Sequence, residues 1–258
     1  EGTEESVKKI KREDIEHFHN AIYHPNNSLL VIVGDVTADE IKRILVPSLA
    51  KWKRQELPKE DFRTGFAGRR TLSIQRNTVQ ASIILGNGGV SRENPDYYAL
   101  TMMNYILGGG GFGSRMFDEI RVQRGLAYSV DSAFIPAKKE GSFQVILQTQ
   151  NSTAIQAVDL VLNEIKKIRE TPVSEAELQR AKSYLVGSFP MRLDSQSKLA
   201  RFLTQVEYYR LGLDYPDRYP SIINAITRED VLRVARKHLQ PDNYVLVIVG
   251  DVKKEKEK

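Results

Sequence analysis

Apolar positions recur along the chain with two periods. They alternate with polar ones over Val79–Gly86, Ala127–Ile135 and Ser142–Gln150, and Arg70–Gln75 is strand-like as well. PAKKEG between the last two runs reads as a hairpin turn. Helical spacing runs over Asn94–Leu107, with Tyr98, Leu100, Met103 and Ile106 among its apolar positions, and over Ser114–Arg124, which Gly125 closes. It returns from about Thr153 to Glu170, from Glu175 to Ser188 behind a Ser174-x-x-Glu177 cap, and from about Ser195 to Tyr209. Pro190 ends or kinks the second of these. Thr37-x-x-Glu40 caps an earlier helix that Pro47 interrupts before Trp52. Strand pairs followed by helix pairs predict an α+β fold, a mainly antiparallel sheet with helices packed on one face.

One pattern occurs twice. Ile10–Val36, IKREDIEHFHNAIYHPNNSLLVIVGDV, aligns without a gap with Ile226–Val252, ITREDVLRVARKHLQPDNYVLVIVGDV, sharing 13 of 27 positions at an offset of 216 residues. In each copy a helix opens at Arg-Glu-Asp and runs to His24 or Gln240, Pro breaks it, and an apolar run of strand length follows, Leu29–Val33 or Val245–Val249. Two closing segments so far apart imply a repeat unit of that size. Residues 1–56 then read as the tail of a first homologous half whose start is missing. Residues 57–70, with Pro, Gly and mixed charge, read as a linker, and 71–258 as a complete second half. Units of equal length place roughly 180 further residues before Glu1.

Composition narrows the chemistry. The 258 residues are 41% apolar and 28% charged, a globular balance, with no apolar run long enough to span a membrane and no signal peptide in the charged N-terminus. There is no cysteine, so disulfides and thiolate chemistry are excluded and the compartment, bacterial cytoplasm or periplasm, stays open. The net charge of +5 is spread over mixed-sign helices and the alternating KKEKEK terminus, with no basic stripe carrying aromatics, which speaks against nucleic acid.

The stretch LGGGGFGSRMFDEIRVQRGLAYSV, Leu107–Val130, contains Gly108, Gly110 and Gly113 in G-x-G-x-x-G spacing. A helix enters the run where a dinucleotide site needs a strand, and no Gly-Lys-Ser/Thr closes it, so a phosphate site is disfavoured. Two readings of Gly108, Gly109, Gly110, Gly111, Phe112 and Gly113 stay open: close backbone approach to another chain or domain, or a flexible hinge. His17, His19 and His24 lack metal-ligand order, His238 is alone in the second copy, and no Ser lies in a nucleophile elbow, so no metal site is expected on this chain. Arg121 and Tyr128 flank Gly125 and can face the glycine run. They could donate hydrogen bonds to a substrate carbonyl or oxyanion, or else Arg121 is paired with Asp118 or Glu119 and Tyr128 is packed on the sheet.

LGGGGFGSRMFDEIRVQRGLAYSV, LVGSFPMRLDSQSKLA at Leu185–Ala200 and the twice-used strand ending in VIVGDV resemble the pitrilysin and insulinase family of zinc metallopeptidases, which includes mitochondrial processing peptidase. The resemblance covers essentially the whole chain. It implies a half-domain of the LuxS and processing-peptidase-like type, and two homologous halves closing around an extended peptide. It further implies zinc on a His-x-x-Glu-His motif of the missing N-terminal half and no cofactor on this chain. Arg, six residues, Tyr is the family's substrate-binding pair and falls here on Arg121 and Tyr128, with Gly108–Gly113 as the substrate loop. Metal-activated water would attack the peptide carbonyl, and this pair would stabilise the tetrahedral intermediate from the opposite side. Partners implied are the missing half or a zinc-bearing subunit, and a peptide or small unfolded protein as substrate; homo-oligomerisation stays open. The chain alone should be inactive, and a non-catalytic partner or scaffold subunit is the alternative.

Overall fold

The computed structural model describes residues 2–58 and 68–252. The chain forms two compact units, Glu1–Arg63 with Pro190–Gly212, and Thr64–Phe189 with Leu213–Lys258. Most of the linker expected at 57–70 and all of the KKEKEK terminus lie outside the described residues.

In the second unit, strands β1 (Arg70–Gln75), β2 (Gln80–Gly88), β3 (Ala127–Ile135), β4 (Ser142–Gln150) and β5 (Val245–Gly250) form one sheet in the order β1-β5-β2-β4-β3. Only β1 and β5 are parallel. β3 and β4 are the expected hairpin, closing at Ile135 and Ser142 with a register shift between Ala127 and Val130. Ala81, Ile83 and Leu85 on β2, Phe143, Val145 and Leu147 on β4, and Leu246 and Ile248 on β5 are buried, and the residues between them are less so. Period-two burial of this kind means one covered face.

Helices α4 (Tyr97–Asn104), α6 (Ala154–Glu170) and α10 (Arg228–His238) supply the cover, with α10 packed on α4 and α6, and α6 on β4. The apolar stripe of α6, Ala157, Val161, Ile165 and Ile168, recurs every three or four residues and is buried throughout. Asp96, the residue before α4, fastens this layer. Its carboxylate accepts hydrogen bonds from Arg233 (2.6 Å), Lys237 (2.8 Å) and His238 Nε2 (2.8 Å), all on α10. Burial alone would raise this carboxyl's pKa. The bonds from His238, Lys237 and Arg233, and the Arg233 charge, outweigh it and hold the group well below the usual carboxylate range.

α7 (Glu175–Gly187) has the expected Ser174–Glu177 capping box, and it stops before Pro190. One helix of this unit escapes the sequence pattern. α9 (Tyr215–Asn224) contains Pro216 in its first turn and Pro220 inside, both turn signals by type, yet Tyr215, Tyr219 and Ile223 are all buried one turn apart. Burial of three large side chains outweighs the one hydrogen bond that Pro220 removes.

The first unit contains α1 (Glu4–Lys9), α2 (Arg12–Ile22), α3 (Ala38–Leu49) and α8 (Gln196–Tyr208). Thr37 and Glu40 form the predicted capping box of α3, but Pro47 lies inside that helix instead of interrupting it, and the helix ends two residues later at Leu49. The strand expected at Leu29–Val33 does not form. Its counterpart β5 is bonded on both sides, to β1 and β2, and no described segment offers Leu29–Val33 such neighbours, so its backbone has no ladder to join. Side chains tell the same story. Val231, Val234, Leu239, Leu246, Ile248 and Val252 are at most 7% exposed, whereas Ile15, Phe18, Tyr23, Leu30, Ile32 and Val36, their equivalents 216 residues earlier, are 43–64% exposed.

Candidate functional site

α4 widens at its end into a π turn, Tyr105–Gly109. A 3-10 turn, Gly111–Gly113, follows, then the short helix α5 (Arg115–Phe117) and a second π turn, Asp118–Gln123. The glycines have distinct reasons. A Cβ on Gly108 would sit 2.5 Å from Ser132 Oγ, 2.9 Å from Ser132 Cβ and 3.1 Å from Met116 Sδ, and one on Gly109 would collide with Asn104 Nδ2. On Gly110 it would fall 2.5 Å from the Tyr105 carbonyl oxygen. Gly111 instead has φ +55°, in the region that costs other residues strain. Gly108 and Gly109 thus lie close against the chain's own strand β3. Asn104 and Ser132 lock that contact: Ser132 Oγ–H donates to Asn104 Oδ1 (2.8 Å), and Asn104 Nδ2 donates to the Ser132 carbonyl (2.9 Å).

Arg115 ties the far side of the loop to α7. Its guanidinium holds both Glu177 oxygens, at 2.6 and 3.0 Å, while Glu177 also accepts from the Ser174 backbone and hydroxyl. Burial pushes the Glu177 carboxyl up, but the Arg115 and Ser174 hydrogen bonds and the Arg115 charge prevail and lower it to about 2. A folded pKa below the unfolded one stabilises the protein above the unfolded value, and that stabilisation is lost as pH falls through the folded value. Urea unfolding is thus expected to show stability falling from about pH 4.5 toward 2, with roughly 3 kcal/mol of the loss due to Glu177. In Glu177→Gln that part of the slope should vanish; identical slopes in the two proteins would contradict the assignment.

Arg121 and Tyr128 come together as the sequence suggested. The Arg121 guanidinium carbon lies 4.6 Å from the Tyr128 ring centroid, 4.8 Å from that of Phe117 and 5.3 Å from that of Phe112. The ion-pair alternative fails: Asp118 accepts from Gln123 (2.6 Å), and Glu119 pairs with Arg124 (2.8 Å). Among the described residues no carboxylate reaches Arg121. Tyr128 is 79% exposed, not packed into the sheet's core. Among the described residues none accepts a hydrogen bond from Arg121, so this side chain is held by cation–π contact with the three rings. Sequence reading missed Phe112 and Phe117 as partners. Phe117 was findable, since it stands four residues before Arg121 at helical spacing.

The histidines stay apart. His19 stacks on Tyr23 at 5.1 Å, His24 is buried with Nε2 2.6 Å from the Asn20 carbonyl, and His238 belongs to the Asp96 cluster. Among the described residues no three His, Asp or Glu side chains converge to hold a metal ion, so they do not fit a zinc site. No helix among them is long and apolar enough to cross a membrane.

Comparison with known proteins follows the same lines. The chain is 29% identical over 258 residues to the "Non-peptidase homolog YmxG" of Helicobacter pylori, covering 99% of this chain and 59% of that protein. It is 28% identical to an "Uncharacterized zinc protease", SCO5738, of Streptomyces coelicolor, covering 91% and 52%. The chain thus spans between half and two thirds of the length of these relatives. The crystal structure of a peptidase M16 inactive domain from Pseudomonas fluorescens superposes with a TM-score of 0.88 at 28% identity, covering 99% of this chain and 61% of that one. A Helicobacter pylori protease structure shares the fold, with TM-score 0.82 at 21% identity and coverage of 96% and 61%. The family description "Peptidase M16 inactive domain" matches residues 9–185, and the chain belongs to the peptidase M16 family as a form of its inactive, C-terminal domain.

Proposed function

We propose that this chain is the zinc-free, substrate-holding half of a zinc-dependent endopeptidase acting on peptides or small unfolded proteins, with zinc contributed by a homologous half or a partner subunit. The observation that carries this reading is Arg121, a guanidinium beside an exposed tyrosine, with N–H donors that no described residue accepts. Arg121 presents a fork of N–H groups and Tyr128 an O–H, all suited to a peptide carbonyl whose oxygen gains negative charge as the carbon becomes tetrahedral. Donors already oriented by three rings need little reorganisation when that charge develops. The glycine run brings the loop tip, with Phe112 on it, beside Arg121.

Tyr128→Phe in the assembled protein is the test. It removes one hydroxyl donor from an exposed ring, so folding should be unaffected while peptide turnover falls by about 10- to 100-fold. A second reading, a non-catalytic partner or scaffold subunit, is favoured by the Helicobacter pylori relative called a non-peptidase homolog. Under that reading Tyr128→Phe leaves any peptide turnover of the assembly unchanged.

A further inference from the structure

Most of the Phe112 side chain is left uncovered by the fold. It stands at the tip of the glycine loop between Gly111 and Gly113, is 81% exposed, and neither neighbour has a side chain to shield it. Its ring is nonetheless held in place. It lies 4.5 Å from the ring of Phe117, which belongs to the core, and 5.3 Å from the Arg121 guanidinium carbon. One part of the ring therefore rests on fixed neighbours and the rest faces solvent, an apolar surface within one residue's reach of Arg121 donors that no described residue accepts. Neighbouring Cα atoms in a peptide are about 3.8 Å apart, so a chain whose carbonyl meets Arg121 brings the side chain of that residue or the next over Phe112.

We propose that Phe112 is a specificity-determining residue, an apolar seat for a bulky aliphatic or aromatic side chain of a peptide whose main-chain carbonyl is held by Arg121 and Tyr128. The inference rests on the substrate-holding reading and adds side-chain selectivity to it. A peptide is the occupant that fits both halves of the surface. The cation lacks an acceptor among the described residues, and the ring lacks apolar cover; one amino-acid residue supplies a carbonyl and a side chain at that spacing. Aromatic rings also pack on one another at centroid separations like that already present between Phe112 and Phe117.

The experiment uses fluorescein-labelled, amidated Gly/Ser octapeptides differing only in one central residue, Phe, Leu or Ala, titrated by anisotropy into the full 258-residue chain. The Phe and Leu peptides are expected to bind about tenfold more tightly than the Ala peptide, the scale of discrimination an apolar subsite supplies. Phe112→Ala should bring all three to the affinity of the Ala peptide, and Phe112→Leu should restore part of the preference. Because the ring is exposed, the melting temperature should hardly move. Equal affinities in the unsubstituted chain, or a preference that survives Phe112→Ala, would overturn the assignment. Failure of all three peptides to bind would overturn the substrate-holding reading itself, and the inference with it.

Discussion

Arg121→Ala, assayed in the assembled protein, is expected to lower kcat/KM for peptide hydrolysis by about 100- to 1,000-fold, the scale for deleting a preorganised donor to a developing oxyanion. Stability should change little. Asp118 and Glu119 already have Gln123 and Arg124 as partners, so removing Arg121 strands no carboxylate. What is lost is cation–π contact with Phe112, Phe117 and Tyr128, worth about 1 kcal/mol at a partly exposed site. That corresponds to a fall of roughly 2–4 °C in melting temperature. Arg121→Lys separates charge from geometry. An ammonium keeps the cation but loses the planar fork, so turnover should recover only in part. If Arg121→Ala cleaved peptide at the unsubstituted rate, the substrate-holding role would be lost and the non-catalytic reading would stand.

The parts of the fold that sequence patterning reveals are those in which local pattern and long-range packing agree. β3 and β4 begin and end where alternation and turn residues place them, because one face of the sheet is covered and the other is not. Leu29–Val33 has the same pattern as β5 but no strands beside it, and pattern alone does not make a strand. α9 was hidden by two prolines, local signals that tertiary burial overrode. At the site, the Arg121–Tyr128 pairing was legible because only Gly125 and a few residues separate them. The Arg115–Glu177 tie joins residues 62 apart, and nothing local in the sequence predicts it. The two π turns likewise depend on how the loop seats against β3, not on residue type.

That seating gives the largest expected effect on stability. Gly108→Ala must place a methyl group 2.5 Å from Ser132 Oγ and 2.9 Å from Ser132 Cβ, far inside contact distance. Neither side has room to yield. Ser132 sits in β3, paired with Val145 of β4, and its hydroxyl is bonded to Asn104, which in turn holds the Ser132 carbonyl. Relief requires the loop to lift off the strand, breaking the Asn104–Ser132 pair and unpacking the buried Met116, so the expected cost is about 2–3 kcal/mol. The melting temperature should fall by roughly 5–10 °C. Gly113→Ala is the matched control. Its added methyl meets nothing within 4 Å, and its backbone is not in the left-handed region, so its stability should stay within about 0.5 kcal/mol of the parent. A double-mutant cycle closes the test. Ser132→Ala removes the nearer of the two colliding atoms, so Gly108→Ala should cost about 1 kcal/mol less in that background than alone. Should Gly108→Ala and Gly113→Ala melt together, the loop does not lie on β3 as described, and the position of Arg121 and Phe112 above it would have to be redrawn.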